Sequence, residues 1–309
     1  MRFAGKARSL RAWRFALVLV AMAGWVPSGL AQSAAVRNPP TVVFMTDFGV
    51  VDDSVALCKG VMYSVAPDLR IVDLTHQVTA FSILDGARFL FGASPYFPAG
   101  TVFVTVVDPG VGSTRKAVVV KTKRGQYFVL PDNGLMTLVQ DRDGIESARE
   151  ITNRDWMIGA ALSSTFHGRD IFSPVGARVA RGDDWTQVGP EVAVDQLVRL
   201  KLTASKLDEH GLSGEVLALD GPYGNLVTNI SGEDFLKLGH ERGKTVHITI
   251  GKTAVDLPFV RTFSDVARGK PLLYIDSRGH VGLAVNLGSF AATYHIQPPE
   301  AILISRPKP

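Results

Sequence analysis

Two uninterrupted apolar runs constrain the fold most. Thr41-Val42-Val43-Phe44-Met45-Thr46 and the stretch from Thr101 to Val107 show no alternation with charged residues. Each therefore suits a strand buried on both faces, inside a sheet covered by helices. Both runs end in a carboxylate. The first passes into Asp47-Phe48-Gly49, the second into Asp108-Pro109-Gly110-Val111-Gly112-Ser113-Thr114-Arg115. In open α/β sheets ligands bind at the carboxyl ends of strands, so both acids stand where a site would form. Pro109 fixes one φ angle, Gly110 and Gly112 free their own, and a guanidinium returns at Arg115. A buried Asp108 kept ionised by Arg115 would be a polar tool in a dry site. The plainer reading has Asp108 capping a turn and Arg115 in a surface ion pair, since structural pairs also perturb carboxylates.

The rest of the first half alternates strand and helix. Asp52 and Asp53 open a helix that runs through Val55, Lys59 and Met62 until Pro67 stops it. Ile71 to Leu74 is a second strand, and Ser82 to Ala93 is helical until Pro95 and Pro98. Lys116–Thr122 and Gln126–Leu130 form a hairpin around Arg124-Gly125, and Leu135 to Gln140 is helical. Glu150 to Arg169 has no clear period but ends in the polar cluster Ser164-Thr165-Phe166-His167-Gly168-Arg169-Asp170, before an apolar helix from Ile171 to Ala180. This predicts an α/β domain over residues 41–194 with a mainly parallel sheet. From Val198 the pattern changes to short β runs separated by turns, with one helical stretch, Gly232 to Leu238. Residues 198–306 read as a smaller all-β, barrel-like domain.

The net charge of +4 belongs to the leader. Five of the 33 basic residues and none of the 29 acids fall in residues 1–31, which leaves 28 against 29, a net of −1. The remainder therefore lacks the positive field expected of a nucleic-acid binder. In residues 1–31 a basic segment precedes the apolar run Phe15 to Val26, then Pro27 and the small-x-small site Gly29-Leu30-Ala31. This is the pattern of a cleaved secretory signal, predicting a periplasmic or secreted protein without a stable membrane anchor after processing. An uncleaved anchor is the alternative, although the run is short for a span. Arg11 and Arg14 are not adjacent, so a twin-arginine signal is not indicated.

Cys58 is the only cysteine, which excludes an intramolecular disulfide and a cysteine zinc site. Its place in a helix, between Leu57 and Lys59, suits a small core residue better than a nucleophile. No His-x-x-x-His pair, phosphate loop or Gly-x-Ser-x-Gly elbow is present, and no metal site is expected. Four polar clusters remain: Asp47 with Asp52 and Ser54; Asp108 with Arg115; His167 in its loop; and, in the β domain, Asp220-Gly221-Pro222-Tyr223-Gly224-Asn225 with Asp276-Ser277-Arg278-Gly279. Singly each has a structural explanation as turn, cap or satisfied histidine.

Their order is what resembles a known family. Thr46-Asp47-Phe48-Gly49 with Asp52-Asp53-Ser54, Asp108-Pro109-Gly110-Val111-Gly112 with Arg115, Pro131-Asp132-Asn133-Gly134, Phe166-His167-Gly168-Arg169-Asp170, Asp220 to Asn225 and Ser277-Arg278-Gly279 occur in one series. Together they resemble the S-adenosyl-L-methionine (SAM) hydroxide adenosyltransferases, or SAM hydrolases, which are relatives of the SAM-dependent fluorinase and chlorinase. The likeness runs from Thr41 to Ile304. It implies an α/β domain followed by a β-barrel-like domain, in a homotrimer whose active sites lie between the first domain of one subunit and the second of its neighbour.

It also implies a reaction: water attacks the ribose 5′-carbon of SAM and gives adenosine and L-methionine, with SAM as substrate and no cofactor. By the same resemblance Asp108, Arg115 and His167 are the water-handling group, Arg115 keeping Asp108 ionised. Asp47 would take the ribose hydroxyls, and Asp52, Ser54 and Asp220 the methionine ammonium. Ser277 and Arg278 would take its carboxylate, and Asn225 the adenine edge. Tyr223, Phe263 and Phe81 would pack on the base and ribose. The halogenating relatives lack a carboxylate at the position of Asp108, and the fluorinase carries a small hydroxyl side chain at that of Gly168. Both departures point away from halide binding. The family's usual place is the cytoplasm, where SAM is made, and the leader departs from that. Two alternatives stand beside the hydrolase: an exported SAM- or adenosine-binding protein with little catalysis, and a SAM-dependent halogenase.

Overall fold

A computed structural model describes residues 39–307. The expected signal segment, residues 1–31, lies outside the described residues. No helix among the described residues is long and apolar enough to cross a membrane.

The first half is built on a seven-stranded sheet: β1 (Thr41–Thr46), β2 (Arg70–Thr75), β3 (Val102–Val106), β4 (Ala117–Thr122), β5 (Tyr127–Pro131), β6 (Ile145–Glu150) and β7 (Glu191–Val192), in the order β2-β1-β3-β5-β4-β6-β7. Helices α1 (Ser54–Val65), α2 (Ile83–Ala93), α3 (Thr137–Asp143) and α4 (Ser173–Arg181) cover it. The two apolar runs are β1 and β3, paired parallel at the centre. Because strand side chains alternate between faces, each run feeds two cores at once. Val42, Phe44, Val102 and Val104 pack with Cys58 and Met62 of α1 and Val175 of α4. Val43, Met45 and Phe103 pack with Leu90 of α2 and Val139 of α3. This is why neither run contains a charged residue.

The sheet is mixed, where a mainly parallel one was expected. β2-β1, β1-β3 and β3-β5 are parallel, whereas β5-β4, β4-β6 and β6-β7 are antiparallel. The cause is the β4–β5 hairpin, which does turn at Gly125 (φ 75°) as its sequence predicts. A tight hairpin must be antiparallel, and β6 and β7 extend the sheet beyond it.

The second half is an eight-stranded sheet of β8 (Lys206–Leu207), β9 (Gly211–Asp220), β10 (Asn225–Ser231), β11 (Thr245–Ile250), β12 (Thr253–Pro258), β13 (Pro271–Ile275), β14 (His280–Val285) and β15 (Glu300–Ser305). The order is β12-β11-β15-β9-β10-β14-β13, with β8 beside β9. The sheet curls until its ends meet: Phe259, just after β12, bridges to Leu273 of β13, and the Val260 N–H donates to the Leu273 carbonyl at 2.9 Å. This nearly closed barrel encloses one core, to which α5 (Gly232–Leu236) contributes Phe235 and α6 (Phe290–Tyr294) contributes Phe290.

Cys58 sits fully buried in α1, and burial pushes its thiol up to about 11, the environment of an inert packing residue.

Helix α4 lies so close to β3 that Gly176 has no room for a side chain. An added Cβ would stand 2.2 Å from Val104 Cγ2. Gly176→Ala should therefore destabilise the protein by about 1–2 kcal/mol, overpacking outweighing the helix propensity of alanine. Thermal denaturation would show this as a fall in Tm of a few degrees; an unchanged or higher Tm would contradict the close packing.

Candidate active site

β1 and β3 deliver Asp47 and Asp108 side by side at one end of the sheet. The Asp47 carboxylate accepts the backbone N–H of Phe81 at 3.0 Å. Phe81 adopts a left-handed backbone (φ 65°), which costs a side-chain-bearing residue about 1–2 kcal/mol. The residue is 74% exposed. The bond to Asp47 accounts for how the strained loop is held, and it fixes one Asp47 oxygen, Oδ2.

Asp108 and Arg115 form a fork. Arg115 Nε donates to Asp108 Oδ1 at 3.0 Å, and Nη2 donates to Oδ2. The two side chains are only 4% and 11% exposed respectively, so this is a desolvated pair and not a surface one. Arg115 Nη1 donates to the Lys116 carbonyl at 2.7 Å, which uses a further guanidinium donor. Burial pushes the Asp108 carboxyl above its ordinary range, against the opposing pull of Arg115, of the Gly110 N–H and of His167. Arg115 thus moderates the burial effect without reversing it, a weaker role than the sequence alone implied. A raised carboxyl pKa makes Asp108 a stronger base when ionised.

His167 arrives on the loop before α4. That loop is pinned by Asp170, whose carboxylate accepts the Ser163 N–H at 2.8 Å and Arg169 Nε at 2.6 Å. The chain then passes through a wide π-type turn, Gly168–Phe172. Burial and the nearby Arg115 charge push the His167 imidazole below its usual range, against Asp108 and Asp170.

Asp47, Phe81, Asp108 and His167 line one cavity of about 240 Å³, together with Phe48, Val111 and Phe166. Phe48 and Phe166 meet edge to face, their ring centroids 5.8 Å apart. Gly168 is buried against Phe48: an added Cβ would stand 2.9 Å from Phe48 Cζ. The space that a side chain at 168 would use is filled by Phe48, which the sequence reading had not assigned a role. Its position between Asp47 and Gly49 was the available signal.

The other expected site residues lie elsewhere in the chain. Asp52 accepts the Ser54 N–H at 3.0 Å just ahead of α1, and neither residue lines the cavity. Asp220 and Asn225 face each other across the first turn of the β9–β10 hairpin, 3.5 Å apart. Tyr223 is exposed on that turn. Phe263 packs on Tyr274, with centroids 5.0 Å apart. Ser277 and Arg278 are on the β13–β14 turn, which Asp276 closes by accepting the Arg278 and His280 N–H groups. The Arg278 guanidinium lies over Phe89 of α2, 5.9 Å from the ring centroid, at the edge of a second cavity of about 360 Å³. Among the described residues, everything lining the Asp108 cavity comes from the α/β half.

Residues 42–189 match the SAM hydroxide adenosyltransferase N-terminal domain, and residues 214–303 match its C-terminal domain. The chain belongs to the SAM hydroxide adenosyltransferase family. Relatives carry two kinds of name. An (R)-S-adenosyl-L-methionine hydrolase of Salinispora tropica is 39% identical over 271 residues, covering 86% of this chain and 98% of that protein. One of the same name from Thermus thermophilus is 37% identical, over 80% and 92%. A fluorinase from an Actinoplanes species is 34% identical over 283 residues, covering 84% and 95%. The crystal structure of an uncharacterized conserved protein from Thermotoga maritima superposes with a TM-score of 0.80 at 37% identity, covering 86% of this chain and all of that one. Membership of this SAM hydroxide adenosyltransferase family therefore leaves the nucleophile to be decided at the site.

The loop carrying Asp108 touches the loop carrying His167 through Gly112. There φ is +79°, and an added Cβ would stand 2.4 Å from the backbone oxygen of Ser164. Gly110, by contrast, is not left-handed, and its Cβ would have ordinary contact, 3.4 Å from Ser113 Oγ. Gly112→Ala should lower Tm by several degrees and Gly110→Ala by far less. Equal effects in a thermal melt would contradict the loop–loop contact.

Proposed function

We propose that this protein hydrolyses SAM to adenosine and L-methionine. The observation that supports this best is a buried carboxylate, forked by a guanidinium, that shares the wall of one small cavity with an imidazole. In this reaction the oxygen of water bonds to the ribose 5′-carbon as the carbon–sulfur bond breaks. The bonding pair goes to sulfur, which leaves as the neutral thioether of methionine, so no acid is required on the leaving side. The water proton passes to Asp108 and from there to solvent. Asp108 and His167 hold and polarise the water, and Arg115 orients Asp108. The enzyme's remaining tasks are alignment and exclusion of bulk water. A carboxylate beside the nucleophile repels a halide ion, and Phe48 fills the space at Gly168; both favour water over the chemistry named for the fluorinase relatives.

Asp47 takes the ribose hydroxyls. Asp52 and Ser54, with Asp220, meet the methionine ammonium; Ser277 and Arg278 meet its carboxylate. Asn225 reads the adenine edge, with Tyr223, Phe263 and Phe81 against the rings. We assign the barrel residues to the site of an adjoining subunit in a homotrimer. The support is that none of them lines the Asp108 cavity of its own chain, while Phe81 and Tyr223 stand exposed on the two halves. The basic segment and apolar run of residues 1–31 support export to the periplasm or beyond.

Purified protein incubated with SAM in heavy-oxygen water should release adenosine labelled at the 5′-hydroxyl. Bound but unconverted SAM would favour a binding protein, and a 5′-halo product a halogenase. Asp108→Ala should lower turnover by about 10²–10⁴-fold, the usual worth of a general base, with adenosine affinity largely kept. Loss of binding instead would contradict the role of Asp108.

The pH dependence follows from the direction of the Asp108 shift. The carboxyl acts as a base only when ionised, so kcat/KM should rise with pH through its pKa. The midpoint should lie above the ordinary 3.8, because burial raises it. Arg115→Met removes a cation and should move that limb to still higher pH. A profile that is flat, or that shifts the other way, would sink the assignment.

A further inference from the structure

One buried titratable group is unused by the mechanism above. His76 follows β2 and is 6% exposed, its ring edge-on to Phe44 at 4.9 Å. An imidazole in such a place costs desolvation that an apolar side chain would avoid. Its contacts form a chain. His76 Nδ1 is 2.9 Å from Thr46 Oγ1, and Nε2 is 3.1 Å from Asp73 Oδ1, poorly aligned for a hydrogen bond. Asp73 Oδ2 in turn accepts Lys59 Nζ at 2.6 Å.

The other end of this chain is the turn that carries Asp47. All three of its N–H groups are accounted for. The Asp47 N–H donates to the Val106 carbonyl at 3.4 Å, and the Gly49 N–H donates to the His76 carbonyl at 2.7 Å. The Phe48 N–H donates to Thr46 Oγ1 at 3.2 Å. The Thr46 hydroxyl thus bridges the turn and the ring, accepting the Phe48 N–H while bonding His76 Nδ1, with the direction of the second bond set by the ring tautomer. The link stands one residue beyond the last pair of the β1–β2 ladder, Met45 with Thr75, just after the register shift between Phe44 and Met45.

We infer that His76 is a positioning residue, acting through Thr46 to hold the turn that presents Asp47 to the substrate ribose. Asp73 stands on the far side of the ring, 3.1 Å from Nε2. The consequence for the ribose rests on the reading of Asp47 as the ribose-binding carboxylate; the hold on the turn does not. The same turn aims Phe48 at Gly168, so its displacement would also loosen the wall beside His167.

The test compares apolar with conservative variants. His76→Leu and the isosteric Thr46→Val each break the link. His76→Asn keeps a hydrogen-bonding group near the Nδ1 position, and Thr46→Ser keeps the hydroxyl. In the first pair the Kd for adenosine and the KM for SAM should rise about tenfold, the usual worth of one lost hydrogen bond, with a smaller change in kcat. The second pair should stay near wild type. Hydrogen exchange of the 44–50 segment, measured on ligand-free protein, should accelerate about tenfold in Thr46→Val and not in Thr46→Ser.

Wild-type affinity and unchanged exchange in folded Thr46→Val would overturn the inference, as would equal losses in both pairs. If the wild-type protein binds neither adenosine nor SAM, the functional reading fails. The exchange data then still decide whether His76 and Thr46 hold the turn.

Discussion

The Asp108–Arg115 fork is the constraint on which the site depends. A carboxylate with 4% of its side chain exposed cannot remain ionised without a partner close by. Arg115 supplies that partner within the same loop, so the pair needs no help from distant segments. The loop geometry follows from this. Gly112 accepts a left-handed backbone and a bare approach to Ser164, which brings the His167 loop against the fork. An imidazole, a buried carboxylate and an apolar ring at Phe48 then share one small volume. The balance matters chemically: burial raises the basicity of Asp108, and Arg115 restrains it without cancelling it.

The two halves of the chain have different jobs because they bury their side chains differently. The α/β sheet is covered on both faces, so polar groups can emerge only at strand ends, and Asp47 and Asp108 do so together. The barrel encloses its own core, so its polar residues emerge on turns: Asp220, Tyr223 and Asn225 on one, Ser277 and Arg278 on another. The turn residues of this nearly closed barrel do not reach the Asp108 cavity of their own chain; Arg278 instead edges the second cavity, beside Arg88 and Phe91 of α2. This is the physical reason a complete site, on the reading proposed, calls for a second copy.

Much of the architecture was legible in the sequence because burial writes a simple pattern. The apolar runs became β1 and β3, the helix stopping before Pro67 became α1, and the short β runs after Val198 became the barrel. The parallel character of the first sheet was overestimated, since local pattern identifies a hairpin but not which of its strands lies beside β3. The segment Glu150 to Arg169 was opaque because it is held by side-chain bonds at Asp170 and has no periodic core face. Phe48 and His76 were missed for the same reason: their meaning lies in contacts with Gly168 and Thr46, far away in the chain.

By itself the sequence determined the strand ends that carry the acids, through burial periodicity, and the family, through the order of its motifs; it placed Arg115 seven residues from Asp108 but left a turn cap and a surface ion pair standing beside the buried pair. Only the tertiary structure decided that His167 faces the same cavity, that Phe48 leaves no room at Gly168, and that the barrel residues do not line it. Those outcomes depend on how separate loops pack against one another, and packing distances of a few ångströms are not encoded in any local pattern.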